Sequence, residues 1–282
     1  AAAGTLTSCA GHATDVPFAG GTGTLEDPFL ICSVVQLGAL AADTNYWSHW
    51  YAFRLMGDLD LTGFDTSAFP IGNATEPFVG FVDGNGQTIS GFALTSGVAN
   101  GVGLFGNFAG VVRRLGVVDV NVQGSGTFVG GLIGQTFRPG LYTPGFVVDV
   151  YTSGSVTGAS GVAGLIGLSD IAVANCYTTA TVDSGYSGAG LINESTAITV
   201  DSFASNDVVA ANGGGRAMSI SGLAPVGMFF DSSKTCSNCT ATLGTAASPT
   251  SYFFDPANAP LASWDFTNVW QSHAPSGFPT LR

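Results

Sequence analysis

Three short segments hold the residues best placed to contact a ligand. Asp149 to Val156, Asn175 to Val182 and Asp201 to Val208 align without a gap, each 26 residues after the last. Each opens on Asp or Asn, and an aromatic residue follows two places later: Tyr151, Tyr177 and Phe203. That combination suits sugars, because rings cover the apolar CH face of a pyranose while carboxylates and amides orient its hydroxyls. In an extended chain neighbours point to opposite faces. With Val150, Cys176 and Ser202 inward, Asp149, Asn175 and Asp201 face outward on the same side as the rings, unless a bend intervenes. Asp149 and Asp201 then stand two coils apart, roughly 9–10 Å, near the upper end of an inverting glycosidase pair. Two plainer readings compete. Asp and Asn side chains also bond to turns or vertical neighbours, and stacked rings also serve as packing.

Other reactive residues are more scattered. Asp58 and Asp60 share one side of an extended segment, as calcium ligands do and as turn residues capping amides do. Asp83-Gly84-Asn85-Gly86 is turn chemistry with glycines at positive φ. No strand-to-helix context follows to make it a phosphate loop. His12, His49 and His273 have no partner motif for nucleophilic catalysis, and His49 among Trp47, Trp50 and Tyr51 reads as half-buried packing. Five cysteines are present. In an exported protein Cys9 pairs with Cys32 and Cys236 with Cys239, leaving Cys176 reduced on an inward column. The rival reading of Cys236 and Cys239 is half a zinc site, but no second C-x-x-C exists. No catalytic residue, metal or cofactor is expected.

The elements that position these residues are repeats. Gly103-Leu104-Phe105-Gly106, Gly131-Leu132-Ile133-Gly134 and Gly164-Leu165-Ile166-Gly167 recur, with degraded copies at Gly190-Leu191-Ile192-Asn193 and Gly222-Leu223-Ala224-Pro225. A short self-similar unit cannot bury its own apolar face, so neighbours must stack. Leu104, Leu132, Leu165 and Leu191 fit one interior column, with glycines at sharp corners. The pattern resembles the GLUG-motif repeats of secreted and surface-attached bacterial proteins, many of them adhesin-like. The resemblance extends from Gly23-Thr24-Leu25 through Asp83-Gly84-Asn85-Gly86 to the aromatic close at Trp264-Asp265-Phe266 and Phe278-Pro279. It implies an all-β, right-handed parallel β-helix.

A solenoid needs capped ends. Ser33-Val34-Val35-Gln36 is a capping box, and Val34, Leu37, Leu40 and Ala41 keep helical spacing to about Asp43. This predicts an N-terminal capping helix. Trp264, Phe266, Val269 and Trp270 predict an aromatic C-terminal cap folded over the far end. The boundaries are 1–48 for the N-terminal segment, 49–250 for the coils, with repeats over about 100–225, and 251–282 for the cap, all one domain. Asn212-Gly213-Gly214-Gly215-Arg216 reads as a projecting loop and a second candidate site.

Nineteen acidic against seven basic residues give a net charge of −12. That argues against nucleic acid, whose phosphates need Lys and Arg; the one adjacent basic pair is Arg113-Arg114. Low charge with 41 glycines argues for dense β-structure rather than disorder. No apolar run is long enough for a bilayer. The chain opens at Ala1, not Met, as if a signal peptide or longer precursor were gone. Together these readings, with the resemblance, predict an extracellular or cell-surface, non-enzymatic recognition protein. It would be an adhesin or fibre-tip domain binding glycans or another cell's surface, in a fibre that a homotrimer would suit. The alternatives are a polysaccharide-degrading enzyme on the same scaffold and a structural spacer.

Overall fold

The computed structural model describes residues 9–137, 145–241 and 243–282. It is a parallel β-helix. One column runs Phe29, Phe53, Val82, Val112, Val147, Val173 and Thr199 through seven successive coils, every step a parallel pairing. A second runs Leu94, Val122, Val156, Val182 and Val208. All but Phe29 and Thr199 among these are buried apolar residues of one core. Coils stand about 4.8 Å apart, so each inward side chain lies directly under the next.

The Gly-Leu-x-Gly copies build a separate wall. Phe105, Ile133, Ile166, Ile192 and Met218 pair in turn there. Leu104, Leu132, Leu165 and Leu191 are fully buried beside it, each coil's amides bonding to the next coil's leucine carbonyl. The first glycine of the copies at 103, 131, 164 and 190 has a reason other than corner geometry, since none has positive φ. A Cβ on Gly131 would sit 2.5 Å from the Gly164 carbonyl, and one on Gly164 2.6 Å from that of Gly190. Close backbone approach between coils excludes a side chain there.

The true corners carry Asp, Asn and Arg. Arg114, Asp149, Asn175 and Asp201 share one register position with φ of 50°, 56°, 53° and 44°, and Gly227 follows at 64°. Asp and Asn tolerate this left-handed conformation better than other non-glycine residues. The Arg113 to Gln123 segment differs from its successors by a bulge. Val118 and Asp119 together oppose Ser153, and the Asp119 amide donates to Ser153 Oγ at 3.1 Å.

Helix α1 (Val34–Ala42) buries Gln36, Leu37, Leu40 and Ala41. Ser33 Oγ accepts from the Gln36 amide, and Gln36 Oε1 accepts from the Cys32 amide at 2.7 Å. Disulfides join Cys9 to Cys32 and Cys236 to Cys239, as the sequence predicts. Residues 212–215 do not form a projecting loop. They belong to a bulged strand, Val208–Gly215, paired with Cys236–Ala241. Arg216 folds back to donate to the Lys234 carbonyl at 2.8 Å and stacks over Phe230.

Candidate functional site

The aromatic column forms as its spacing predicts. Tyr151, Tyr177, Phe203 and Phe229 pair in register. The Tyr151 and Tyr177 rings lie 5.1 Å apart and 3° from parallel; Tyr177 and Phe203 lie 4.9 Å and 2°. Val150, Cys176 and Ser202 are buried inside the coil, so the rings do lie on its outer side. The solvent they would need is absent. Tyr151, Tyr177 and Phe203 are 6%, 3% and 0% exposed.

The C-terminal segment covers them. It runs along the flank of the solenoid rather than over its end, and Phe253, Leu261, Trp264, Trp270 and Leu281 complete a second core with the column. Phe203 stacks on Phe253 at 4.5 Å. Tyr177 Oη donates to the Pro279 carbonyl at 2.7 Å, and Trp264 Nε1 to the Asp201 carbonyl at 2.8 Å. An antiparallel hairpin, Trp270–His273 with Gly277–Leu281, stiffens the cover. A column of open rings would be a large apolar patch, which monomeric proteins rarely leave bare.

Asp149 and Asn175 are tied up in the same seam by their side chains, and Asp201 by its backbone carbonyl. Asp149 Oδ1 accepts from Trp270 Nε1 and from Asn175 Nδ2, both at 3.2 Å. Burial pushes the Asp149 carboxyl up from its ordinary pKa; the indole and amide donors offset this only in part. Burial also pushes the Tyr151 phenol up to about 12 and the Tyr177 phenol well above its ordinary value. Cys176 is fully buried, its thiol pushed up by desolvation, with Sγ donating to the Ala174 carbonyl at 3.1 Å. Asp58 Oδ1 accepts from the Thr88 amide at 2.7 Å and Asp60 Oδ1 from the Thr62 amide at 2.9 Å, the amide-capping role. His49 is exposed, not half-buried, and stacks on Tyr51 at 5.3 Å.

Another face stays open. Two outward columns lie side by side: Ala93, Asn121, Ser155 and Thr181, and Thr95, Gln123, Thr157, Asp183 and Val209. Their strands' inward residues are the buried Leu94, Val122, Val156, Val182 and Val208. A shallow groove of about 370 Å³ crosses three coils here, lined by Thr95, Gln123 and Thr157 with Gly97, Gly124 and Gly158. Tyr186, 56% exposed, lies one coil farther along the same edge, two residues past Ser184, which pairs with Gly158. Hydroxyls and amides at coil spacing beside one open ring can hydrogen-bond a chain of sugar hydroxyls. The sequence signal for this face is the alternation Ser155-x-Thr157 and Thr181-x-Asp183, inside the same aligned segments.

No protein-family model matches the chain. It is 36% identical over 135 residues to a protein of Evansella cellulosilytica named "Putative Gly-rich membrane protein", covering 45% of this chain and 15% of that protein. It is 35% identical over 163 residues to halomucin of Haloquadratum walsbyi, covering 54% of this chain and 2% of that protein. The chain therefore matches only a small part of either relative. Among described residues no helix is long and apolar enough to cross a membrane. A solved structure described as a "putative immunoglobulin A1 protease from Bacteroides ovatus" superposes with a TM-score of 0.67 at 18% identity, over 94% of this chain and 95% of that one. At that identity the likeness establishes a shared β-helix fold.

Proposed function

We propose that the chain is an extracellular, non-enzymatic recognition domain of adhesin or fibre-tip type, which binds glycans or another cell's surface through its open polar face. The observation that carries this reading is the groove across Thr95, Gln123 and Thr157, with Tyr186 nearby. The two disulfides fit an oxidising, exported setting. Similarity to parts of much longer proteins, one named as a Gly-rich membrane protein, fits a module of a surface-exposed array. The Asp149, Asn175 and Asp201 column, with Tyr151, Tyr177 and Phe203, supports the covered flank rather than a ligand.

The test is a glycan array alongside whole-cell binding, run with wild type and Thr157→Arg, which fills the groove. Wild type binds and Thr157→Arg loses the signal. No hit on either platform, or equal binding by the variant, overturns the reading.

An enzyme on this scaffold is the second reading, favoured by the fold shared with a protein named for protease activity. Turnover of a polysaccharide panel or of immunoglobulin A1, abolished by Asp149→Asn or Asp201→Asn in variants that keep the wild-type fold, would replace the first reading with this one.

A further inference from the structure

Three of the seven basic residues converge on one carboxylate. Arg54, Asp83 and Arg113 occupy one outward column on successive coils, and Arg114 takes the adjoining corner. The Asp83 side chain is 1% exposed. It accepts from Arg114 Nη2 at 2.6 Å, from Arg113 Nη2 at 3.0 Å and from the Asn85 amide at 2.9 Å, while Arg54 Nε stands 3.7 Å away. Burial works to raise the Asp83 pKa, but Arg114, the Asn85 amide and Arg113 outweigh it and hold the carboxyl below its ordinary value. Asp149, one coil beyond Arg114, is another acid whose charge Arg114 feels.

The cluster therefore holds more guanidinium than carboxylate, in a chain whose net charge is −12. Each guanidinium has five N–H donors, more than one carboxylate's lone pairs can satisfy between three. Arg54 Nε and Arg113 Nε are buried without a hydrogen-bond partner. Arg54 and Arg113 line a cleft of about 270 Å³ with Leu25, Pro28 and Phe81, Asp83 lies between them in its lining, and the Arg113 guanidinium lies 4.9 Å over the Phe81 ring. Apolar walls lower the local dielectric, which sharpens both the repulsion among the guanidiniums and their attraction for an anion.

We propose that this cleft is an oxyanion-binding site, in which Arg54 and Arg113 hold a carboxylate or sulfate group beside the Phe81 ring. Two sources supply that chemistry: an acidic sugar, either a uronate or a sulfated residue, and a free inorganic anion. The cleft lies on a different strand line from the polar groove, so it stands or falls independently of the recognition reading.

The test follows the arginine Nε–H resonances by NMR while glucuronate, acetate or sulfate is titrated at constant ionic strength. The Arg54 and Arg113 signals shift saturably, with a dissociation constant of about 1 mM or tighter. Arg113→Gln weakens this about tenfold or more, and Lys234→Gln leaves it unchanged. Glucosamine 6-sulfate is titrated alongside: tighter binding of glucuronate than of acetate, or of the sugar sulfate than of sulfate, identifies an acidic sugar; equal or tighter binding of inorganic sulfate than of both sugars identifies the inorganic anion. If Arg113→Gln does not fold, the wild-type resonances decide alone. A non-saturating drift shared with Arg216 and Arg282, or wild-type affinity in a folded Arg113→Gln, overturns the site.

Discussion

The same coils carry two outer faces with different fates. At one, Tyr151, Tyr177 and Phe203 stack in register and disappear beneath Trp264 and Trp270. At the other, Gln123, Thr157 and Asp183 stack in register and remain in solvent. Backbone pairing is the same in both, so the side chain at one register position decides the outcome. Rings repeated at coil spacing make an apolar strip that a cover stabilises by burial. Hydroxyls and amides repeated there gain nothing from cover, since water already satisfies them. A repeat protein can thus recruit its own tail to one flank and leave another free to meet a partner.

Breaking the cover should produce the largest effect. Trp270 is fully buried and stands 4.4 Å from Trp264. Trp270→Ala should cost about 3–5 kcal/mol in chemical denaturation; a loss under about 1 kcal/mol would mean the tail merely rests on the flank. Tyr177→Phe keeps the stacked ring but strands the buried Pro279 carbonyl. It should cost about 1–2 kcal/mol in chemical denaturation, well below the loss for Trp270→Ala.

Asp149 sharpens the contrast through its titration. Its folded pKa is raised by burial above the ordinary value of 3.8. The stability linked to its proton is therefore present below that ordinary value and lost as pH rises through the folded pKa. Asn at this position keeps the left-handed corner and an oxygen for Trp270 Nε1. Asp149→Asn should be at least as stable as wild type at pH 7, and the difference should close on acidification to about pH 3. Denaturation curves at both pH values check this, and a variant clearly weaker at neutral pH would contradict it. On the open face, Gln123→Ala with Thr157→Ala should move stability by no more than about 0.5 kcal/mol while weakening binding to whatever the array reveals.

Much of this was legible in the sequence, for identifiable reasons. The Leu104 to Leu191 column and the 26-residue register follow from repetition, and strand parity places Tyr151 on the outside. Capping chemistry marks helix α1, and cysteine spacing gives both disulfides. The cover was not legible. Trp264 and Trp270 announce apolar area in need of burial, but parity names a side without naming what lies against it. Tyr177 and Pro279 meet across 102 residues with no period linking them. The glycines misled about mechanism, because a turn and a close approach between coils call for the same residue. Arg113-Arg114 stood out as a pair, yet Arg54 and Asp83 join it only through coil-to-coil register. The polar face hid because alternation of Ser, Thr and Asp looks like any solvated strand.

Tyrosine nitration resolved by mass spectrometry tests the sealed-and-open contrast most directly. Nitration needs an accessible ring, and Tyr186 is 56% exposed while Tyr177 is 3%. The account predicts rapid modification of Tyr186, with Tyr151 and Tyr177 untouched until the protein is unfolded or Trp270 is replaced by Ala. Modification of Tyr177 in the native protein at a rate near that of Tyr186 would contradict it.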